Sequence, residues 1–281
     1  MPYRNPTIVV PVFGQVELAR RCLRAIDDLT RVSVPTLIID DAGTPALTEQ
    51  VVTGAVRSGR RWRLIRHDHN QGFVATMNEA FDRAAGSDVV IVNSDVTVLP
   101  GWLEGLRAAM RAVPGLASAS ALADNGGILS VPALAGLGSV LPADLRERLA
   151  ALRNEVAPAA LIPVAVGHCT YLARAALGEV GDFDPVFSPG YGEEVDWSLR
   201  ALRAKYKHAA ALHSYVLHDE AASFGRDRSR RWLRRRHEVI IAARYPRHFI
   251  GIRRFARDQN SDLCRSIDAL GKTFAPPKDQ L

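Results

Sequence analysis

Apolar residues along this chain recur at two spacings, and the spacings alternate. Thr7 to Phe13, TIVVPVF, is a β-rich run closed by Gly14, and from Glu17 to Leu29 the positions Leu18, Cys22, Ala25, Ile26 and Leu29 return at helical intervals. A strand therefore feeds an amphipathic helix. Pro35 to Asp40, PTLIID, repeats the strand and ends in the carboxylates Asp40 and Asp41, followed by an AGTP loop and a helix over 46–58. Arg63 to His67 predicts a third strand, and HNQGF leads from it into a helix with Met77, Ala80, Phe81 and Ala84 on one face. Val89 to Val92 is a fourth run, wholly apolar, which turns polar at Asn93, Ser94 and Asp95 before a helix over 101–113 and a strand from Leu116 to Leu122. Strands and helices in alternation with short links predict an α/β fold with a mostly parallel central sheet flanked by helices.

Beyond Leu122 the pattern loosens. ADNGGILSVP reads as a hairpin or loop, Leu145, Leu149 and Leu152 mark one amphipathic helix, and 123–163 as a whole reads as an insertion. Val164 to Ala173 returns to strand character. GDFDPVFSPGYGEEVDWSLRALRA then gives a loop through Gly190 and Gly192 and a helix with Val195, Leu199 and Leu202 on one face. An apolar strand from Ala209 to Leu217 ends at His218 and Asp219, and an arginine-rich helix from Asp227 to Tyr245 follows.

Composition refines this. With 281 residues, 47% of them hydrophobic, the chain buries a large core. The expected division is an α/β domain over 1–225 and a basic helical C-terminal extension over 226–281. No apolar run approaches the ~20 residues that span a bilayer, and the N-terminus opens directly into a strand, so the expected location is cytoplasmic. Cys22, Cys169 and Cys264 are odd in number and far apart, which gives neither a disulfide framework nor a zinc motif. Between Arg226 and Arg257 twelve arginines face two acids, Asp227 and Glu238, while the whole chain carries only +6. Such a face is either a solvated helix surface or a docking surface for anions; because Trp232, Ile240 and Ile241 accompany the arginines, a peripheral contact with lipid headgroups is expected in preference to nucleic acid.

Candidate chemistry concentrates at two places. A polar triplet at the carboxyl end of a buried strand lies where open α/β sheets hold ligands, so Asn93, Ser94 and Asp95 either bind there or make an ordinary turn. Asp95 offers a hard oxygen suited to Mg²⁺ or Mn²⁺ carrying a diphosphate. Glu193, Glu194 and Asp196 crowd the first turn of a helix. The helix dipole favours acids there by ~0.3–1 kcal/mol each, but three in four residues exceed what capping requires.

Taken together, PVF, LIIDDAGT, HNQGFVATMN, VNSDVTVLPGW, FDPVFSPGYGEEVDWSLRA and LHDEAASFG resemble, in order and spacing over about Thr7 to Gly225, the inverting family 2 glycosyltransferases of GT-A fold. The resemblance implies sugar transfer from a nucleotide diphosphate donor with inversion and help from a divalent metal. It assigns Pro11, Val12 and Phe13, with Asp40 and Asp41, to the nucleotide base and ribose. Asn70, Gly72, Phe73 and Asn78 match the segment lining the donor site, and Asn93 and Ser94 fall with Asp95 in the DxD-type motif whose acid binds metal. His218 matches a histidine that completes the metal shell. Glu193 and Glu194 match an acid pair whose second member is the catalytic base, with Asp196 and Trp197 on the acceptor side. Three departures stand out: Gly14 replaces a frequent Asn, Asn93 replaces the first Asp of DxD, and Glu194 replaces the usual Asp base. Asn93 and the NGGILSVP loop are similar to rhamnosyltransferase-like members, which points to a deoxythymidine or uridine diphosphate sugar and a glycan or lipid-linked acceptor.

The chemistry is self-consistent. A departing nucleoside diphosphate develops charge that a divalent cation neutralises, and the attacking hydroxyl needs one carboxylate to take its proton. Two enzyme classes compete. A nucleotidyltransferase calls for a Gly- and Arg/Lys-rich loop after the first strand, where PVFGQVELAR has one glycine, and a dinucleotide-dependent oxidoreductase needs a G-x-G-x-x-G that is absent. A non-catalytic nucleotide-sugar binding module has no need of every carboxylate present here.

Overall fold

The computed structural model describes residues 5–43, 62–84, 86–131, 134, 142–219, 228–258 and 262–274. The helix expected over 46–58 lies outside the described residues. Strand β1 (Thr7–Val12) is followed by helix α1 (Val16–Leu29), then β2 (Thr36–Asp40), β3 (Trp62–Arg66), α2 (Phe73–Arg83), β4 (Val89–Val92), β5 (Val96–Val98), α3 (Trp102–Ala112) and β6 (Leu116–Ala123). The second half contains α4 (Leu145–Glu155), β7 (Ala159–Ile162), β8 (Cys169–Leu172), α5 (Arg174–Val180), α6 (Glu193–Arg203), β9 (Lys207–His218), α7 (Arg228–Arg244), α8 (His248–Arg257) and α9 (Asp262–Phe274).

These strands form one sheet in the order β3-β2-β1-β4-β8-β6-β9-β5, with β7 alongside β9. The pairs β1–β2, β2–β3, β1–β4 and β6–β9 are parallel. The pairs β4–β8, β6–β8, β5–β9 and β7–β9 are antiparallel. Parallel winding thus holds for the first four strands, as the sequence pattern implies, and the sheet becomes mixed beyond β4. The two short strands β5 and β7 escape a reading by periodicity because three or four residues carry too little pattern.

Helices cover both faces, which is why the central strands are apolar without alternation. On β1, Ile8, Val10 and Val12 face one core with α1 and α3, while Val9 faces the other with α2, α5 and α6. Helix α1 buries Ala19, Cys22, Leu23 and Ile26, the i, i+3, i+4, i+7 stripe of an amphipathic helix. A third core gathers Leu145, Leu149 and Leu152 of α4 with Leu263 and Leu270 of α9 against the β6–β9 end of the sheet.

Among the described residues the basic C-terminal segment forms α7, α8 and α9, and α7 packs on the α/β core. His237, Ile241 and Tyr245, spaced four apart, are buried, and the last two join the core beside Phe187 and Trp197. Ile241 is therefore core and Ile240 packs against it, so neither accompanies the surface arginines; the exposed apolar residues of α7 are Trp232 and Val239. Arg244 fixes the contact by donating to Asp184 Oδ2 at 2.7 Å and to the fully buried Asp196 Oδ1 at 2.9 Å.

Removing that guanidinium takes one charge-assisted bond from a carboxylate with no access to water. Arg244→Ala is expected to lower the unfolding free energy by about 1.5–3 kcal/mol, read as a lower urea midpoint at unchanged slope; an unchanged midpoint contradicts the role given to the pair.

Candidate active site

The carboxyl ends of β1, β2 and β4 share one edge of the sheet, and the residues that follow them form its rim. At the end of β1, Pro11 is half-buried, Val12 is buried and Phe13 is exposed, with Gly14 and Gln15 in left-handed conformations turning the chain into α1. At the end of β2 the two carboxylates are both buried but do different things. Asp40 accepts from the Gly43 N–H at 3.0 Å and lies 3.7 Å from Arg66 Nε.

Asp41 organises the loop that precedes α2. Its Oδ1 accepts from the Gln71 N–H and from His67 Nδ1–H, both at 2.8 Å, and its Oδ2 accepts from the Gly72 N–H at 2.9 Å. Gly72, at φ +84°, also donates to Asn70 Oδ1 at 2.8 Å, and a Cβ there would stand 2.7 Å from the Pro189 Cβ, so this loop rests directly on the loop before α6. Asp41 thus holds the wall of the site together from behind. Asn78 does the same at longer range: its amide donates to Phe183 O at 2.8 Å and accepts from Phe183 N–H at 3.0 Å, pinning a loop 105 residues away. Phe73 is half-buried next to Gly190.

His67 bridges Asp41 and, through Nε2–H at 2.8 Å, Glu79. Burial opposes its charge, yet the two carboxylates outweigh that and raise its pKa above the ordinary imidazole value.

At the end of β4, the Asn93 N–H donates to His168 O at 3.0 Å, and Asn93 O accepts from Val96 N–H at 3.0 Å, which closes a turn through Ser94 and Asp95 into β5. β5 pairs with β9 so that Val96 stands opposite His218. That register brings together two residues the sequence reading joined, with His218 Nε2 3.6 Å from Asp95 Oδ1. The His218 Nδ1 is 2.7 Å from Asn125 O, and a carbonyl can only accept, so Nδ1 carries the hydrogen. In the neutral ring the Nε2 lone pair then faces Asp95, the orientation a backbone carbonyl imposes on a metal-binding histidine. Among the described residues no group of three or more His, Cys, Asp or Glu converges to form a protein cage for a metal.

Glu193 and Glu194 open α6 behind Gly192, whose φ is +92°. Glu193 is buried and Glu194 half-buried, and the Oε2 of each lacks a hydrogen-bond partner among the described residues. Burial raises both carboxyls above the ordinary range. Glu193 is raised further because it lies against the charge of Glu194 and hydrogen-bonds to it, and the same bond lowers Glu194. Both carboxyls thus hold their protons more tightly than free glutamate does, Glu193 the more so because of its neighbour's charge.

The two acidic stations are joined by Gly167 and His168. A Cβ on Gly167 would lie 3.7 Å from Glu194 Cγ, and His168 stacks on His218 with ring centroids 5.3 Å apart. Burial first, and the neighbouring His218 imidazole second, lower the His168 pKa to about 3, so this ring stays neutral. Its Nε2–H donates to Ala121 O at 3.0 Å.

Asp196 and Trp197, expected on the acceptor side, are both buried and bonded within the protein. Asp196 accepts from Arg200 Nε–H at 2.9 Å, from Arg244 Nη1–H at 2.9 Å and from the Tyr245 hydroxyl at 3.1 Å. Trp197, buried, donates Nε1–H to Gly181 O at 2.9 Å. At 100° per residue these positions point into the core when Glu194 points out of it. Sequence reasoning missed His168, His237 and Asn125, whose partners lie 47, 46 and 93 residues away. The signal available was weak: a histidine inside an apolar strand for His168, and one among arginines for His237.

The raised pKa of His67 carries a signed consequence for the donor-loop wall. A raised pKa contributes stability that is complete below the unfolded value near 6.5 and disappears as pH rises through the folded value. The loss of unfolding free energy in His67→Gln is expected to be largest at pH 5.5–6 and to shrink above pH 7. Denaturant melts across pH check it, and a loss that grows with pH refutes the charged bridge.

Comparison with known proteins agrees with this geometry. The sequence pattern of glycosyl transferase family 2 matches residues 7–181, more than half of the chain. No curated protein matches. GalNAc-T7 in complex with UDP, GalNAc and Mn²⁺ superposes with a TM-score of 0.60 at 14% identity, over 77% of this chain and 44% of its own, so the chain spans less than half of that protein's length. The mannosyltransferase PcManGT from Pyrobaculum calidifontis, in complex with GDP-Man and Mn²⁺, gives 0.58 at 18% identity over 97% of this chain and 70% of its own. S. aureus TarS 1–349 gives 0.53 at 13% identity over 96% and 70%. These identities speak to the fold alone, a mixed α/β GT-A architecture. From the sequence match over β1 to α5 and from the shared fold, the chain belongs to glycosyl transferase family 2.

Proposed function

We propose that this protein is an inverting glycosyltransferase. It moves a sugar from a nucleoside diphosphate donor to a hydroxyl of a glycan or lipid-linked acceptor in one displacement, with Glu194 as general base. Family membership supplies the reaction class. The observation that carries the finer reading is the junction at Gly167 and His168, which connects Glu194 on one side to His218 and Asp95 on the other.

Glu194 takes the proton from the attacking hydroxyl. Glu193, adjacent and protonated, keeps the negative charge on Glu194 and blocks a second ionisation nearby. Single displacement requires no carboxylate nucleophile, and the alternative reading as a binding module leaves two buried, donor-poor carboxyls without a purpose. The Mn²⁺ bound by GalNAc-T7 and by PcManGT supports a divalent cation here, Mg²⁺ or Mn²⁺. Asp95 Oδ and His218 Nε2 suit it: two protein donors leave positions for diphosphate oxygens, the usual way a hard cation is held with a phosphate substrate. When bound, the cation neutralises the charge that develops on the departing diphosphate. Asn93 in place of the first DxD acid supports a rhamnose-type sugar on a dTDP or UDP carrier.

The test is a set of variants with donor affinity measured apart from turnover. Glu194→Gln keeps size and hydrogen bonding but cannot accept a proton, so turnover should fall by ~10²–10⁴ with donor affinity little changed. Glu193→Gln still donates to Glu194 and should cost far less. Asp95→Ala should remove the part of UDP or dTDP affinity that depends on Mn²⁺. Normal turnover in Glu194→Gln beside an inactive Glu193→Gln moves the base back by one residue.

A peripheral position on the cytoplasmic membrane face completes the reading. No described helix is long and apolar enough to cross a membrane. Exposed Trp232 and Val239 on α7 and Phe249 and Ile250 on α8 accompany Arg231, Arg235, Arg253, Arg254 and Arg257, and a cleft of about 450 Å³ is lined by Ile250, the three arginines of α8 and Asp258. Arginines near anionic lipid contribute ~1 kcal/mol each, screened by salt. Co-sedimentation with phosphatidylglycerol vesicles is expected, weaker at high salt and weaker after reversal of Arg231, Arg235 and Arg254 to Glu. Absence of binding at low salt refutes a membrane role for this face.

A further inference from the structure

We propose that His237 of α7 is a positioning residue for the general base, holding the backbone from which Glu193 and Glu194 project. The inference rests on the assignment of Glu194 as base.

Two consecutive residues before α6 are left-handed: Tyr191 at φ +74° and Gly192 at φ +92°. Glycine adopts that conformation freely, but tyrosine does not, and such a residue persists only where its surroundings over-determine it. The direction of the first turn of α6, and so of both glutamates, follows from these two residues. The restraint comes from one face of α7. His237 is buried, its Nδ1 lies 2.7 Å from Tyr191 O, and since a carbonyl only accepts, Nδ1–H is the donor. The Arg234 guanidinium lies 4.6 Å from the centroid of the Tyr191 ring. A Cβ on Gly192 would stand 3.1 Å from Ile241 Cδ1 and 3.6 Å from His237 Cβ, and Phe187 meets the His237 ring edge-on at 5.2 Å.

An ordinary core histidine would fill space and satisfy its own ring. This one spends its Nδ1 hydrogen on the carbonyl of the strained residue, two positions before the acid pair. Losing the bond frees Tyr191 to relax, which turns the first helical turn and displaces the Glu194 carboxylate. Displacements of about 1 Å at a reacting group cost up to ~10²-fold in rate. Binding of the nucleotide, organised at the other side of the site by Asp41, Asp95 and His218, is left alone.

Turnover is measured as donor hydrolysis, using whichever member of a panel of dTDP-, UDP- and GDP-sugars is cleaved fastest. His237→Ala is expected to lose about 10- to 100-fold in kcat, to bind the matching nucleoside diphosphate with Mn²⁺ as wild type does, and to shift the acid limb of its pH–rate profile as the setting of Glu194 changes. The decisive pair is His237→Asn and His237→Gln. The Asn amide nitrogen occupies the place of Nδ1 and should restore most of the rate; the Gln amide reaches towards the place of Nε2 and should not. Should the alanine variant fail to fold, that pair decides alone. Wild-type rate and pH profile in His237→Ala, equal rates in the Asn and Gln variants, or nucleotide affinity falling together with kcat would overturn the inference. Glu194→Gln is run alongside: wild-type rate in that variant refutes the base assignment and this inference with it, whereas its inactivity beside a normal His237 series refutes the positioning role alone.

Discussion

One antiparallel strand makes the site. β8 runs against β4 with Cys169 opposite Val92, so the residues just before β8 must lie at the edge where β4 ends. Gly167 and His168 are therefore neighbours of Asn93, and everything that meets them is drawn to the same edge: Glu194 from α6, His218 from the end of β9, and through His218 the Asp95 carboxylate. A wholly parallel sheet would have delivered the start of β8 to the opposite edge and left the acids of α6 and β4 apart. The reversal of direction at β4 is thus a condition for the chemistry.

Buried acids in this protein fall into two groups, separated by whether the protein satisfies them. Asp41 and Asp196 are each met by three donors, backbone N–H groups and an imidazole for one, two guanidiniums and a phenol for the other. Such carboxylates are anchors, and their free energy comes from bonds already made. Glu193 and Glu194 have each an oxygen without a partner among the described residues, and burial raises both. An unsatisfied acid costs stability unless something outside the chain completes it. That contrast, more than depth in the fold, is what supports a working role for the pair.

The same contrast explains what could be read from the sequence. Long apolar runs announced β1, β2, β4 and β9, and the i, i+3, i+4, i+7 stripe announced α1, because these patterns are local and the burial they encode is uniform. The resemblance joined Asp95 and His218, and the structure places them 3.6 Å apart. The bonds that Asp41, Asn78, Asp196 and Trp197 make inside the protein were not legible, because a polar group looks alike whether its partner is a substrate or a backbone amide. For Asn78 that partner is Phe183, 105 residues on, and no local pattern encodes it. The arginine count beyond Arg226 did not show how α7 packs; the four-residue spacing of His237, Ile241 and Tyr245 decides that.

Helix α7 has two faces with different physical tasks, and this bears on how the enzyme could be built. Its inner face meets the loop from Asp184 to Gly192 along about three turns, through Arg234, His237, Ile241 and Arg244, the last also reaching Asp196 inside α6. Its outer face carries Trp232, Val239, Arg231 and Arg235 into solvent. A rigid helix cannot move one face without the other. The outer arginines and the histidine that bonds Tyr191 O therefore belong to one rigid element. The two proposals made for α7, docking by its outer face and positioning of the base by its inner face, thus rest on opposite faces of one helix.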